Sequence, residues 1–142
     1  MNLPLIIDAH EDLAYNALTF GRDYSRAAAD TRHIERASDA QAVKVTGESL
    51  LGYPDYKRGK VAIVFGTWFA TPGRLKLGDW DVQSYFTFDE AHLIYWKQLD
   101  HYHEMVDRHP EEFALIGTAR DLARMRESWE VGFDSSPVGL VP

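Results

Sequence analysis

The sequence predicts an α/β protein organised around parallel strands, and three observations lead there. Two continuous apolar runs, Leu5-Ile6-Ile7 and Val61-Ala62-Ile63-Val64-Phe65, have the composition of strands covered on both faces. The segment from Asp89 to His109 repeats apolar residues at three- and four-residue steps, as an amphipathic helix does. Strand-like and helix-like segments alternate along the chain, the order that a parallel sheet needs.

Leu5 to His10 is read as the first strand, short and buried. After Asp12, residues Leu13, Ala14, Ala17 and Leu18 share one side of a short helix that Gly21 stops. Asp23 to Ala42 is polar and Ala-rich, and Ala27 to Arg36 reads as a solvated helix. The stretch from Leu50 to Gly59 is punctuated by Gly52 and Pro54 and leads into the second strand, Val61 to Phe65. A loop rich in aromatic residues then runs towards Phe88, and long loops at strand ends often carry function. Asp89 is read as the N-cap of the long helix and Pro110 as its stop, with Ala91, Ile94, Tyr95, Leu99, Tyr102, Met105 and Val106 as its apolar stripe. Phe113 to Ile116 is a candidate short strand, Thr118 caps a second helix through Met125, and Val138 to Val141 opens a further strand.

A chain of 142 residues with 45% hydrophobic and 26% charged residues is expected to fold as a single domain, 1–142, with a sizeable core. The net charge is -7 and Lys and Arg are scattered, which argues against a nucleic-acid partner. There is no cysteine, so a metal would have to be held by His, Asp and Glu. Pro4 and Asp8 break the N-terminal apolar stretch, which also lacks a basic region, so it does not read as a signal peptide. No run is long enough to span a membrane, and the cytoplasm is the expected location.

His10-Glu11-Asp12, at the carboxyl end of the first strand, is the leading candidate site. Side chains alternate along a strand, so His10 and Asp12 point one way and Glu11 the other. An imidazole and a carboxylate converging in this way suit Zn²⁺. Asp8 shares the parity of His10 and Asp12. A salt bridge or hydrogen bond to a neighbouring strand is the expected role for it, ahead of support for the site. Glu11, turned towards the covering helices, is expected to form a structural ion pair.

His101-Tyr102-His103 is the rival motif, with His92 and His109 close in sequence. Residues two apart on a helix point about 200° apart, so these read as surface histidines, as does His33. Trp68, Phe69, Trp80, Tyr85 and Phe86 have two uses open to them, a pocket mouth or ordinary core packing. No Gly-rich phosphate loop and no Gly-x-Ser-x-Gly elbow is present.

Ile6-Ile7-Asp8-Ala9-His10-Glu11-Asp12-Leu13 resembles the opening strand of the renal (membrane) dipeptidase family, whose pattern is Asp-Gly-His-Asn-Asp-Leu. Ala9 and Glu11 depart from that pattern, and neither stands at a ligand position. Leu51 to Val61 is similar to the family's next landmark, a Leu- and Pro-containing segment ending in Gly-Gly-Val, with Lys60 in place of the second Gly. Gln98-Leu99-Asp100-His101-Tyr102 and the segment from Phe113 to Leu122 resemble the helix, strand and helix that follow.

The resemblance implies the N-terminal part of a (β/α)₈ barrel, a fold of about 250 residues. It implies a zinc-dependent hydrolase that cleaves dipeptides, with His10 and Asp12 as ligands in a site of two Zn²⁺ ions. The bridging Glu at the end of the third strand, two further His and an Asp are not present in this chain. Val138 to Pro142 resembles the start of that third strand. The isolated chain is therefore expected to be inactive and to associate through its exposed sheet edge. Two alternatives stand beside this: a non-catalytic α/β binding or assembly module, and an amidohydrolase-type barrel acting on a non-peptide amide or a lactone.

Overall fold

Parallel pairing organises the chain. A computed structural model describes residues 5–142. In the main sheet β1 (Ile6–Glu11), β2 (Val61–Gly66), β6 (Val138–Val141) and β5 (Phe113–Leu115) lie side by side in that order, each parallel to its neighbour. Two short strands, β3 (Thr71–Pro72) and β4 (Ser84–Tyr85), pair separately within the aromatic-rich loop. The helices are α1 (Leu13–Phe20), α2 (Ala28–Ala37), α3 (Gln41–Thr46), α4 (Tyr53–Gly59), α5 (Phe88–Arg108) and α6 (Ala119–Gly132). The chain is thus α/β with a parallel sheet.

Alternation along the strands gives the sheet two different faces. On one, Val64, Val138 and Leu140 pack against Leu13 and Ala14 of α1, Tyr56 of α4 and Tyr102 and Met105 of α5. On the other, Ile63 and Ile116 pack against Met125 and Trp129 of α6 and against Phe133. Cover on this second face is partial. Ile7, Ile63, Phe65, Ile116, Leu122 and Val141 border an open apolar hollow of about 380 Å³.

β1 departs from the buried strand expected of its apolar run. Ile6 and Ile7 are 49% and 57% exposed, because β1 is an edge strand and its second face meets the open hollow. The Gly- and Pro-punctuated stretch before β2 folds as α4, with Pro54 in the first turn, where its missing N–H leaves no helical bond unmade. The N-cap of α5 is Thr87 rather than Asp89. The Thr87 hydroxyl accepts from the Glu90 N–H at 3.2 Å while Glu90 accepts from the Thr87 N–H at 3.0 Å, a reciprocal capping box. α1 ends where expected, at Gly21 with φ 72°. Thr118 caps α6, which runs on to Gly132, well past Met125.

Within the apolar stripe of α5, Gln98 is fully buried. Its Oε1 accepts from the Phe69 N–H at 2.9 Å, and its Nε2 donates to Gln83 Oε1 at 2.6 Å. A polar side chain in this position ties the aromatic-rich loop to the helix by satisfying backbone groups that would otherwise be orphaned.

Gly66, the last residue of β2, lies directly against the fully buried ring of Tyr102. A Cβ there would sit 2.5 Å from Tyr102 Cζ and Oη. Gly66→Ala is expected to lower stability by about 1–3 kcal/mol, read as a reduced urea midpoint at unchanged m-value. An unaltered midpoint would show that Tyr102 is not held against the strand.

Candidate functional site

Because β1 and β2 are parallel, their carboxyl ends finish at the same edge, and the candidate site is built there. The Thr67 N–H donates to Glu11 O at 2.9 Å, carrying the pairing one residue past β2. The Tyr102 hydroxyl donates to Thr67 O at 3.2 Å and accepts from the Ala14 N–H at 3.5 Å, which braces the strand end against α1. Burial pushes the Tyr102 hydroxyl up, so it remains a donor.

His10 and Asp12 lie near each other, with His10 Nε2 3.8 Å from Asp12 Oδ2, although β1 ends at Glu11 and Asp12 stands in the turn into α1 rather than in the strand. Two donors on one tetrahedral Zn²⁺ are separated by roughly 3.3 Å for bonds of about 2.0 Å, so a small side-chain adjustment would bring both onto one ion. Asp12 precedes α1 but its side chain makes no capping bond. Its Oδ1 instead accepts from the Thr67 hydroxyl, leaving Oδ2 free towards His10. The donor chemistry fits half of a zinc site, and Thr67 supplies the outer hydrogen bond that orients the carboxylate.

Glu11 turns inwards, as expected, but meets the Tyr56 hydroxyl rather than a cation. Its Oε1 is shielded from solvent and has no hydrogen-bond partner. Burial pushes the Glu11 carboxyl up to about 7, against the favourable bond from Tyr56 and with a further push from Asp8. Burial, reinforced by Glu11, likewise raises Tyr56, which stays protonated and donates.

Asp8 takes neither expected role. Its Oδ1 accepts from the His10 N–H at 3.1 Å, within β1 rather than across to a neighbour. Parity is broken between Asp8 and Glu11. β1 advances from Asp8 to Glu11 while β2 advances only from Val64 to Gly66, the mark of a bulge. The extra residue turns Asp8 towards the side of Glu11 rather than that of His10.

His10, Glu11 and Asp12 open onto a cleft of about 390 Å³ that Asn16, Arg22 and Phe69 also border. Arg22 is not free to bind an anion there. It donates to Glu35 Oε1 at 2.8 Å and to Gly47 O at 2.6 Å, in a buried ion pair. Of the loop aromatics, Phe69 reaches this cleft and meets Tyr15 edge-on at 5.2 Å, while Trp80 stacks on Phe20 at 5.7 Å. The two uses are thus divided between different residues.

The histidines of α5 do not form a cluster among themselves. His92 and His103 are exposed, and His92 Nε2 accepts from Trp96 Nε1 at 2.8 Å. His101 is half-buried, and burial lowers its pKa. His33 is exposed on α2. Thr67 and Tyr56 were missed by sequence reasoning, since both reach the site only through strand and helix pairings that lie far apart in the chain.

No family model, no curated protein and no solved structure matches the chain. The dipeptidase resemblance rests on the residues named for it. No helix among the described residues is long and apolar enough to cross a membrane.

The raised Glu11 carboxyl has a consequence for stability. Its folded pKa of about 7 lies above the ordinary 4.5, so the folded state favours the proton. This contribution is complete below the unfolded value and is lost as pH rises through the folded one. In chelator-treated buffer the urea midpoint should fall between about pH 5 and pH 8, by no more than about 3 kcal/mol in stability. Glu11→Gln should flatten most of that fall. Equal pH dependence in the two proteins would assign it to other groups.

Proposed function

We propose that this chain carries the first part of a zinc-dependent hydrolase site of the renal dipeptidase kind, which cleaves dipeptides with metal-activated water. The observation that carries the reading is the convergence of His10 Nε2 and Asp12 Oδ2, 3.8 Å apart, at the carboxyl end of a parallel strand and facing a cleft. That end of a parallel sheet is where α/β proteins place their chemistry.

A bound Zn²⁺ would lower the pKa of a coordinated water and polarise the scissile carbonyl. This chain's own residues hold and orient. Asp12 brings negative charge, with one oxygen fixed by Thr67, and His10 brings a neutral nitrogen donor. Phe69 offers an apolar wall to a substrate side chain. Two donors are fewer than a zinc ion takes, so a working site needs ligands beyond this pair. The resemblance assigns these to a Glu after the third strand and to later strands.

The strand order supports the reading, since β6 lies parallel beside β2 in third place. Two features set conditions on a closed barrel. β5 pairs along the outer edge of β6, and α6 lies on the face that a barrel would turn inwards. Closure requires both to move aside. A barrel acting on a non-peptide amide or a lactone would use the same two donors.

The second reading is a non-catalytic assembly module. Helices on both faces of the sheet favour it, as a self-contained α/β layer needs no barrel to cover its strands.

The isolated chain is expected to bind Zn²⁺ only weakly through His10 and Asp12, and to show no measurable turnover of Ala-D-Ala-type dipeptides. Robust turnover would overturn the two-donor reading. If the nucleotide sequence beyond Pro142 continues in frame into a Glu-ended strand and later His-containing strands, the hydrolase reading gains its missing ligands. Size-exclusion chromatography separates the readings further: self-association through the open edge and hollow accords with a barrel part, and a monomer with cooperative unfolding with the module.

A further inference from the structure

We propose that the cleft beside His10, Glu11 and Asp12 binds a primary alkylammonium group, held by two side-chain oxygens that lack partners within the protein, Glu11 Oε1 and Asn16 Oδ1. Both residues border the cleft. Glu11 is only 7% exposed, and a buried carboxylate oxygen without a hydrogen bond carries a large desolvation cost. A donor from a ligand removes that cost.

The protein fixes which acceptors are left over. The Tyr56 hydroxyl donates to the other Glu11 oxygen, Oε2, and so does not serve Oε1. Asn16 Nδ2 donates to Asp12 O at 2.9 Å, which sets the orientation of the amide and leaves Oδ1 as the unpaired atom. An amide oxygen can only accept. Both oxygens are shielded from solvent, and the soft terminal torsions of Glu and Asn let a ligand reach them by side-chain rotation.

Charge and shape select the donor. Arg22 is engaged by Glu35 and Gly47 O, so it supplies no counter-ion to Glu11. Among the described residues, Glu11 belongs to no group of three His, Asp or Glu donors close enough to share a metal ion, and a metal there would be under-coordinated. An ammonium brings three N–H donors and demands no fixed coordination number. Tyr15, Tyr24 and Phe69 place aromatic rings along the cleft, which attract a cation, and Leu50 and Leu51 offer apolar contact to its alkyl stem. The volume of about 390 Å³ lies in the range of small-molecule sites. A lysine side chain and a free amino terminus are two sources of this one chemistry. The inference rests on the reading of the cleft as a substrate site, but uses neither zinc nor turnover.

The test is a titration of the ¹⁵N-labelled full chain in chelator, followed through amide chemical shifts. The probes are Nα-acetyl-lysine amide, with a side-chain ammonium, leucine amide, with a free amino terminus, and Nα-acetyl-norleucine amide, with neither. A charged probe should shift the Glu11, Asn16 and Phe69 amides saturably, and the neutral probe should bind at least about tenfold more weakly. Which charged probe binds identifies the source. Glu11→Gln, close in size to the native side chain, and Asn16→Ala should each weaken binding by about tenfold, with dispersed amide spectra showing that they fold. Asn16→Ala, at a half-buried position, carries the test if Glu11→Gln does not fold. Absence of saturable binding, equal binding of the neutral probe, or unchanged affinity in the folded variants overturns the proposal. Such a failure leaves His10 and Asp12 as zinc donors untouched, because the titration contains no metal.

Discussion

The backbone pairing of β1 with β2, bent by the bulge between Asp8 and Glu11, is the interaction on which the rest of the candidate site depends. Parallel pairing makes the two strands end together, so Thr67 can donate from its backbone to Glu11 and from its side chain to Asp12. The bulge decides which carboxylates share a side. It brings Asp8 towards Glu11 and leaves His10 and Asp12 to meet over the cleft. Tyr102, fully buried and bonded to both Thr67 and Ala14, fixes this edge against the helix layer.

Glu11 is where the site and the core meet. It stands among helix and strand side chains where an apolar residue would pack without polar cost, and it keeps one oxygen unpartnered. Tyr56 offsets part of that cost by donating to the other oxygen. In the same layer the Gln98 and Gln83 pair has its polar groups satisfied, whereas Asn16 Oδ1, beside the same cleft as Glu11, is also without a partner. Departures from that rule tend to gather at functional positions, and here the departure lies between two candidate ligands.

The two faces of the sheet differ in a way that bears on assembly. α1, α4 and α5 close one face around Tyr102 and Val64, whereas α6 covers only part of the other. The uncovered part is apolar and adjoins an edge strand whose isoleucines face water. An open strand edge and an uncovered apolar face are each features whose burial against a partner is favourable.

Much of this molecule is decided locally. Apolar runs marked β2 and β6, Gly21 marked the end of α1, Pro110 the end of α5 and Thr118 the start of α6, since each acts through its own side-chain character, φ, ψ or hydrogen-bonding capacity. Alternation along a strand led to the expectation that His10 and Asp12 approach each other, but β1 stops at Glu11 and Asp12 already belongs to the turn into α1, so their 3.8 Å spacing is set by that turn as well as by the strand. Tertiary structure alone decided that β1 is an edge, that Asp8 sides with Glu11 and that Tyr56 and Thr67 complete the site. The physical reason is common to all three. Burial, bulge register and side-chain partners depend on which distant segments pack together, and periodicity along one segment carries no information about its neighbour.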